Sequence, residues 1–309
     1  MIVAITGANG FIGQRLVRGF TDEGWQARAV VRHDFELGDQ QLERCFDGAD
    51  VVVHAAGATR APTRRTLHES NVRLTSRTAD AARRAKVGRF VFLSSQAAAG
   101  PASSYERASA EGDEPAPIEA YGRSKLEAER LLHSMSELPC VIVRPAAVYG
   151  PGDRDFLSMF RLARRGVALH PGNRDKWISI VQVDDLTRGV MRACVDERAV
   201  GRTYFVANDE PIQWGALFGA CAASAEQHLK LDLEVPAALV ALGARIGDAI
   251  ARITGRAGLL TSEKVALSGP PYWVCSNARA KEELGWSPSV GLENGLRDTY
   301  RWYVANGWL

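Results

Sequence analysis

The first stretch of the chain constrains its fold more than any other. Residues 2–5 are an apolar run that predicts a buried strand, and residues 14–23 carry apolar side chains at helical spacing. Between them, Gly7, Gly10 and Gly13 stand at G-x-x-G-x-x-G spacing. Glycines there permit a sharp turn, let the backbone approach a pyrophosphate, and let the helix pack against the strand. Because the helix N-terminus would offer free N–H groups to the phosphates, the stretch predicts a nucleotide-binding turn.

The composition narrows the class of partner. The 309 residues carry a net charge of +2, so neither nucleic acid nor a membrane surface is indicated as a partner. The five cysteines form no C-x-x-C pair, which argues against a zinc site or a disulfide framework and for a reducing compartment. Charged residues interrupt residues 235–253, which predict an amphipathic helix from Pro236 rather than a membrane span. Since the first strand begins at residue 2, we expect no signal peptide and a cytoplasmic protein without a metal site.

Strands and helices alternate over the first half of the chain. The predicted strands after the first are residues 27–31, 50–57, 90–93 and 140–143. The alternation predicts an α/β fold with a doubly wound parallel sheet, the Rossmann architecture, over residues 1–175. Strands within about 178–207 are expected to return to that sheet. Residues 176–309 are expected to form mainly a smaller, mostly helical substrate-binding domain.

The end of the second predicted strand bears on the choice of cofactor. Arg32 stands there, with Asp34 two residues beyond. An acid at this place hydrogen-bonds a ribose 2′-hydroxyl, whereas an arginine accommodates a 2′-phosphate, so Arg32 favours NADP(H) over NAD(H). Residues 35–37 predict a further short strand. Because a parallel crossover needs a dozen or more residues, the second crossover helix is expected to be missing or replaced by a tight connection.

Tyr121 and Lys125 carry the clearest chemistry. They are four residues apart at the head of a predicted helix, so both side chains point from one face. The pKa of a tyrosine phenol is about 10. A neighbouring ammonium favours the phenolate and lowers this pKa, so that proton transfer becomes efficient nearer neutral pH. Ser95 follows the strand at 90–93, where a hydroxyl could hydrogen-bond a substrate oxygen on which charge develops.

Together these motifs resemble the extended short-chain dehydrogenase/reductase superfamily, including the NAD-dependent epimerase/dehydratase proteins. The matching segments are Thr6–Gly13, His54–Gly57, Asn71, Ser94–Ser95, Tyr121–Lys125, Arg144–Pro145, Val148–Pro151, 181–185 and 283–288. The resemblance covers nearly the whole chain.

The resemblance implies an enzyme that uses NAD(P) and a small-molecule substrate. Tyr121 would be the general acid/base, and Lys125 would lower its pKa and bind the nicotinamide ribose. Ser95, rather than Ser94, would orient the substrate oxygen, and Asn71 would support the site. The residues implied to bind the cofactor are Gly7, Asn9, Gly10, Phe11, Ile12, Gly13, Arg32, His54, Ala55, Ala56, Gly57, Tyr121, Lys125, Pro145 and Val148. The superfamily also implies a homodimer through the helices that hold Asn71 and Tyr121.

The sequence favours a reductase or dehydrogenase acting on a secondary alcohol or ketone. Arg32 favours the NADP used by reductases, and Ala147 and Ile178-Ser179 stand where nucleotide-sugar enzymes of the family place Asn and Arg-Asp.

Two alternatives stay open. One is an NAD-dependent nucleotide-sugar 4-epimerase, whose diphosphate could be neutralised by Arg60, Arg64, Arg154, Arg161 and Arg174. The other is a catalytically silent nucleotide-sensing protein, which the presence of both Tyr121 and Lys125 disfavours. Candidates for an apolar substrate pocket, or for core, are Trp177, Trp214, Tyr272 and Trp273.

Overall fold

A computed structural model describes residues 1–254 and 262–309 of the chain. The strands are β1 (Ile2–Thr6), β2 (Gln26–Val30), β3 (Val51–His54), β4 (Arg89–Leu93), β5 (Cys140–Pro145), β6 (Ala147–Tyr149), β7 (Val167–Pro171), β8 (Trp177–Ile178), β9 (Ile180–Gln182), β10 (Thr203–Val206), β11 (Ile212–Gln213), β12 (Leu231–Val235) and β13 (Tyr272–Trp273).

The helices are α1 (Phe11–Asp22), α2 (Arg32–Glu36), α3 (Asp39–Phe46), α4 (Arg64–His68), α5 (Leu74–Arg84), α6 (Ala120–Ser134), α7 (Leu157–Ala163), α8 (Val183–Val195), α9 (Trp214–Ser224), α10 (Ala237–Thr254), α11 (Ser262–Ser268), α12 (Ala278–Leu284) and α13 (Leu292–Ala305). A π-helical turn, Glu69–Arg73, joins α4 to α5, and short 3₁₀ turns span Gln96–Ala98 and Glu197–Ala199.

The centre of the fold is a six-stranded sheet in the order β10-β5-β4-β3-β1-β2. All of its neighbouring strands run parallel. The predicted α/β fold with a doubly wound parallel sheet is therefore confirmed. In such a sheet ligands bind outside the carboxyl ends of the strands where the strand order reverses, which here is the crevice between β1 and β3.

Both faces of this sheet are covered, because side chains alternate between them along each strand. Val51 and Val53 of β3 pack with α1 and α8 on one face. Val52 packs with α3, α5 and α6 on the other. Apolar side chains therefore fill both faces of the strands, as expected of a parallel sheet.

The predicted strand at residues 35–37 is wrong. The segment is helical: α2 ends at Glu36, and the buried Phe35 side chain packs in the same cluster as Leu42 and Phe46 of α3. Gly38, at φ 99° and ψ −179°, separates α2 from α3 in a conformation that is essentially restricted to glycine. The crossover between β2 and β3 is thus a broken pair of helices, so the expectation of a missing crossover helix is also wrong.

Residues 178–207 divide between several sheets. The strand β10 joins the main sheet beside β5, with Thr203 opposite Ile142. By contrast, β9 pairs in parallel with β6, and β8 lies between β11 and β13 in a separate three-stranded sheet.

A second apolar cluster lies outside the main sheet. It joins α7, α9 and α13 with β6, and Tyr149, Phe160 and Tyr303 are fully buried in it. The predicted helix at residues 236–253 corresponds to α10, where Ala244 is buried while Leu242 and Ile246 are 55% and 54% exposed; the side chains of its last turn lie outside the described residues. Within residues 1–254 and 262–309, no helix combines the length and the apolar character needed to cross a bilayer.

Candidate active site

The turn after β1 brings the backbone of two strands together. Gly7 has φ +70°, and a Cβ there would stand 2.8 Å from the Ala56 nitrogen, in the segment that follows β3. A Cβ on Gly13 would overlap the Gly7 carbonyl, so the first turn of α1 lies against the loop only because Gly13 has no side chain. The turn is thus tight in the manner predicted from the glycine spacing.

The N-terminus of α1 opens at the carboxyl edge of the sheet. Gly10 is its N-cap residue, and no side chain caps the helix. Half-buried Phe11 and Ile12 begin the first turn, and Asn9 lies at the surface with its carbonyl accepting from Gln14 Nε2 at 3.0 Å. The uncapped N–H groups and the positive end of the helix dipole fit a pyrophosphate, so these residues suit a dinucleotide cofactor.

The segment His54–Gly57 ends β3 beside this turn, since Thr6 of β1 pairs with His54. The His54 side chain is fully buried, with Nδ1 2.7 Å from Thr6 Oγ1 and Nε2 3.0 Å from Thr75 Oγ1. Burial, together with the nearby Lys125 charge, lowers the pKa of His54 to about 3. His54 is therefore a neutral, hydrogen-bonded link between two strands and α5, while the backbone of Ala55 and Ala56 passes Gly7.

Arg32 is exposed at the start of α2, two residues after β2. Val30 of β2 pairs with Thr6, which places the end of β2 next to the glycine turn. The Asp34 carboxylate accepts from the Val31 nitrogen at 2.8 Å and so caps α2. The Arg32 side chain is therefore exposed to solvent at this strand end, whereas the Asp34 carboxylate is engaged in capping α2.

The structure brings Ser95 and Tyr121 into contact, and Lys125 lies one turn further along α6. Half-buried Tyr121, in the first turn of α6, is hydrogen-bonded to Ser95. Lys125 is 4% exposed; its Nζ donates to the Leu93 carbonyl at 2.8 Å and lies 4.6 Å from the centre of the Phe92 ring. Ser94 does not take part, because its hydroxyl is bonded to the buried Glu129.

Burial dominates the electrostatics of both groups. It raises the pKa of Tyr121 to about 12; the hydrogen bond from Ser95 opposes this rise, and the charges of Glu119 and Asp155 add to it. Burial also lowers the pKa of Lys125 to about 8, against the opposing effect of Glu129. The spacing of Tyr121 and Lys125 predicts a lowered Tyr121 pKa, but the pKa in this structure is raised.

Glu119 is a site residue that the sequence reasoning missed. It is the N-cap of α6 and only 3% exposed, and its carboxylate accepts from the backbone nitrogens of Tyr121 and Gly122, each at 2.5 Å. An acid directly before a predicted helix is a recognisable N-cap signal, which could have found it.

Asn71 fastens the loop after β3 to α6. Its Oδ1 accepts from the Ala58 nitrogen at 2.8 Å, and its Nδ2 donates to the Ala58 carbonyl at 3.0 Å and to Ser124 Oγ at 2.8 Å. The residue lies in the π-helical turn, a feature that often marks functional sites.

A buried ion pair stands behind the site. Arg144 of β5 donates to both carboxylate oxygens of Glu129 on α6, at 2.9 and 2.6 Å, and both side chains are nearly inaccessible. Pro145, the next residue, is buried at the end of β5 opposite Val206, and Val148 is half-buried in β6 opposite Val181.

Aromatic side chains border the loop that leads from Ser95 to Tyr121. This loop lies along β13, with the Ala102 nitrogen 2.9 Å from the Tyr272 carbonyl. From the loop, the Tyr105 ring contacts Trp177 of β8, with 4.5 Å between ring centres. Of the other predicted aromatics, Trp214 and Trp273 pack against the second apolar cluster.

The arginines predicted as diphosphate ligands have partners within the chain. Arg60 is ion-paired with Asp155, and Arg174 Nη1 lies 3.4 Å from an oxygen of Asp232. Two more of these arginines contact Trp308: Arg154 lies over its ring at 5.2 Å, and Arg161 donates to its carbonyl at 3.3 Å. Arg64 also has a partner.

A parallel Rossmann-type sheet, a glycine turn at a helix N-terminus and a Ser, Tyr and Lys group define a class of NAD(P)-dependent enzymes. The family model described as the NAD dependent epimerase/dehydratase family matches residues 3–207. The chain belongs to this family and is an enzyme with NAD(P)-dependent oxidoreductase or epimerase chemistry.

The similar proteins include both a reductase and an epimerase. The chain is 30% identical over 325 residues to a ceramide reductase of Caulobacter vibrioides (strain NA1000 / CB15N), covering 100% of this chain and 96% of the relative. It is 28% identical over 328 residues to a UDP-glucose 4-epimerase of Vibrio cholerae, covering 96% and 94%. Among solved structures, MoeE5 in complex with UDP-glucuronic acid and NAD has the same fold, with a TM-score of 0.80, 23% identity, and 99% and 100% of the two chains covered.

Proposed function

We propose that this enzyme is an NADP-dependent reductase of a ketone carried on an apolar body. The aromatic contact between Tyr105 and Trp177, beside the loop that joins Ser95 to Tyr121, is the observation that carries the proposal. These two aromatic rings suit an apolar substrate and offer no charge to a sugar diphosphate. The relative named ceramide reductase supports the same substrate class.

In the proposed reaction Tyr121 is the proton donor and Ser95 orients the carbonyl. Bound NADPH supplies the hydride. As the carbonyl carbon accepts that hydride, the C=O π bond breaks, and the oxygen takes the proton of the Tyr121 hydroxyl while the Ser95 hydroxyl donates a hydrogen bond to it. Lys125, fixed through Leu93, has further N–H groups with which it would hold the nicotinamide ribose.

Replacing Tyr121 by Phe tests this assignment. We expect NADPH oxidation with a long-chain 3-oxoester or a steroid ketone to fall by roughly 10²–10⁴-fold, the usual range of a lost general acid. The dissociation constant for NADPH should change far less than the rate, since the phenyl ring keeps the shape of the site. Full activity in Tyr121→Phe would reject the role of Tyr121.

The second candidate is an NAD-dependent 4-epimerase acting on a nucleotide sugar. The similarity to the UDP-glucose 4-epimerase favours it, whereas the internal partners of the arginines weigh against it. Purified enzyme should be denatured and assayed for released nicotinamide, then tested with UDP-glucose without added cofactor. Stoichiometric bound NAD with conversion of UDP-glucose would establish the epimerase, and NADPH-dependent ketone reduction would establish the reductase.

We propose that Arg32 selects NADP by binding the 2′-phosphate. Its exposure at the end of β2 and the use of Asp34 as a helix cap support this role. Arg32→Ala should weaken NADPH binding by about tenfold and leave NADH binding unchanged, as measured by fluorescence titration. Arg18→Ala, at an exposed arginine of α1, is the matched control. Equal affinity of Arg32→Ala and the parent enzyme for NADPH would remove the phosphate role.

We also propose that residues 176–309 mainly form the substrate-binding part, and that the enzyme is a cytoplasmic homodimer. Trp177 supports the first point, because its ring contacts Tyr105 and its strand β8 pairs with β13, which begins at Tyr272. The dimer rests on family resemblance, with the helices around Asn71 and Tyr121 as its contact. Light scattering should then give about twice the chain mass of 33.6 kDa; the chain mass itself would refute a dimer.

A further inference from the structure

The solvent-facing side of α10 is apolar. Leu239, Leu242, Ile246 and Ile250 recur at spacings of three or four residues, so they lie along one side of the helix, here called the α10 stripe. Each of these side chains is between 54% and 60% exposed. A surface helix ordinarily turns its apolar side to the core and its polar residues to water. An outward apolar stripe is typical of a surface that binds a partner or a membrane.

The helix packs on the rest of the chain through a different side. Val240 and Ala244, four residues apart, are 6% and 0% exposed. At about 100° of rotation per residue, they lie well round the helix axis from Leu242 and Ile246. The buried side attaches α10 to the protein, and the α10 stripe is left in contact with solvent.

The charge beside the α10 stripe is positive. Arg245 is exposed and forms no ion pair with a described residue, and the sequence of residues 236–260 holds three arginines and one aspartate. The acids of the preceding strand β12 are engaged by Arg174: Asp232 lies 3.4 Å from its Nη1, and Glu234 accepts from its backbone nitrogen at 3.2 Å. An apolar stripe with an arginine beside it complements anionic lipid headgroups.

The size of the α10 stripe fits a bilayer surface better than a protein partner. A stable protein interface takes roughly 20–30 residues from each side, whereas the α10 stripe provides four large aliphatic side chains. A lipid surface needs only one helix face that lies in its plane, with apolar side chains at the boundary between headgroups and acyl chains.

We propose that α10 seats the enzyme on a membrane surface that carries anionic lipid, with the α10 stripe in the lipid and Arg245 among the headgroups. The choice of lipid rests on the proposed function, in which the ketone is carried on an apolar body and so partitions into a bilayer. The net charge of +2 predicts no membrane surface as a partner. The attraction comes instead from the exposed apolar area of one helix.

Vesicle flotation of the whole enzyme, without substrate or cofactor, tests this surface. The enzyme should rise with phosphatidylcholine vesicles that contain about 30% phosphatidylglycerol. It should rise less with phosphatidylcholine alone, because Arg245 adds attraction to anionic headgroups. An enzyme that stays in the aqueous layer with both kinds of vesicle overturns the proposal.

Substitutions in the α10 stripe locate the contact. Leu242→Gln/Ile246→Gln should weaken binding to the anionic vesicles by about tenfold, because it removes apolar area from the centre of the stripe. The matched control is Leu37→Gln/Val304→Gln, at aliphatic side chains that are 57% and 48% exposed elsewhere on the surface, and it should bind like the parent. Leu242→Met/Ile246→Met keeps the apolar area and should also bind like the parent. Equal binding by Leu242→Gln/Ile246→Gln and the parent overturns the proposal.

Arg245→Gln tests the headgroup contact, and it serves if glutamines in the α10 stripe prevent folding. It should weaken binding to the anionic vesicles by about fivefold and leave binding to phosphatidylcholine alone unchanged. Arg18→Gln, at an exposed arginine of α1, should bind both kinds of vesicle like the parent. Unchanged binding of Arg245→Gln to the anionic vesicles overturns the headgroup contact.

Light scattering and ketone reduction separate the remaining explanations. If a second copy of the chain covers the α10 stripe, the parent does not float and Leu242→Gln/Ile246→Gln lowers the mass in solution, which overturns the membrane proposal. An enzyme that reduces the ketone without binding vesicles defeats this inference alone. A vesicle-bound enzyme that reduces no ketone defeats the proposed function, while loss of binding in Leu242→Gln/Ile246→Gln would still support the membrane surface.

Discussion

At the residue scale, the buried ammonium group of Lys125 lowers the stability of the folded state. It is 4% exposed, its described contacts are a carbonyl oxygen and an aromatic ring, and burial lowers its pKa to about 8. A buried ammonium whose pKa falls destabilises the folded state wherever the unfolded lysine is protonated. Such a cost at a proposed active-site position is typical of a residue retained for function.

Lys125→Met should therefore stabilise the enzyme while abolishing activity. The unfolded group titrates near 10.5 and the folded group near 8, so the folded state binds fewer protons between these values and its stability rises with pH through that window. Removing the charge should raise the free energy of unfolding at pH 7 by about 1–3 kcal/mol, after loss of the hydrogen bond to Leu93. The gain should disappear above about pH 10.5, where both states are neutral.

Urea unfolding at pH 7 and pH 10 measures this difference, with Lys230→Met at an exposed lysine as the control. A Lys125→Met variant that is less stable than the parent at pH 7 would show that the ammonium contributes net stability through its contacts.

At the scale of elements, the pair Glu129–Arg144 links α6 to the central sheet. It joins α6 to β5, and Ser94 at the end of β4 bonds the same carboxylate. The serine that contacts Tyr121 is the next residue, so this buried pair lies close to the contact between α6 and Ser95. A buried ion pair of this kind adds less stability than specificity of packing, because desolvation offsets the attraction.

Breaking this pair from one side should be costly. Either Glu129→Met or Arg144→Met leaves a buried charge alone and should lower the free energy of unfolding by about 3–5 kcal/mol. The double variant removes both charges, so its loss should be clearly smaller than the sum of the two single losses. A double-mutant cycle by chemical denaturation measures the difference. Additive losses would mean that the two charges act independently.

At the scale of the whole molecule, α13 and the residues before it pack against the segment that follows β5 and against α8. Gly295 of α13 packs on Tyr149, at the end of β6, and the Tyr303 hydroxyl donates to the Asp153 carbonyl at 2.7 Å. Trp286 reaches α8 through a hydrogen bond of 3.0 Å to the Asp185 carbonyl. The last residues are thus built into the same body as the segment that follows β5.

Substitutions at two helical glycines, Gly295 in α13 and Gly219 in α9, test how tightly α13 is packed. A Cβ on Gly295 would stand 2.5 Å from the Tyr149 hydroxyl, so Gly295→Ala should lower the free energy of unfolding by about 1–3 kcal/mol despite the better helix propensity of alanine. Gly219→Ala in α9 has nothing within 4 Å of the new Cβ and should raise it by about 0.5–1 kcal/mol. Thermal unfolding of both variants measures the contrast. Equal effects would mean that α13 moves aside freely.

Patterns among residues close together in the sequence were enough to predict most of the fold. The glycine spacing at residues 7–13 and the apolar runs of the parallel strands predict β1, β3, β4 and β5, because turn geometry and side-chain alternation depend on neighbours a few residues apart. Residues 35–37 misled the prediction, since a short apolar run fits a helix as well as a strand. Only the packing of Phe35 with Leu42 and Phe46 decides between them.

The sequence by itself determined the family, the parallel sheet, the glycine turn and the placement of Tyr121 and Lys125 on one face of α6. Each depends on local spacing. Only the tertiary structure decided which groups act on the Tyr121 phenol, which arginines already have acidic partners, and that His54 is buried between two hydroxyls. Those properties depend on burial and on contacts between residues such as Arg60 and Asp155, which are far apart in the chain and meet only when the strands align.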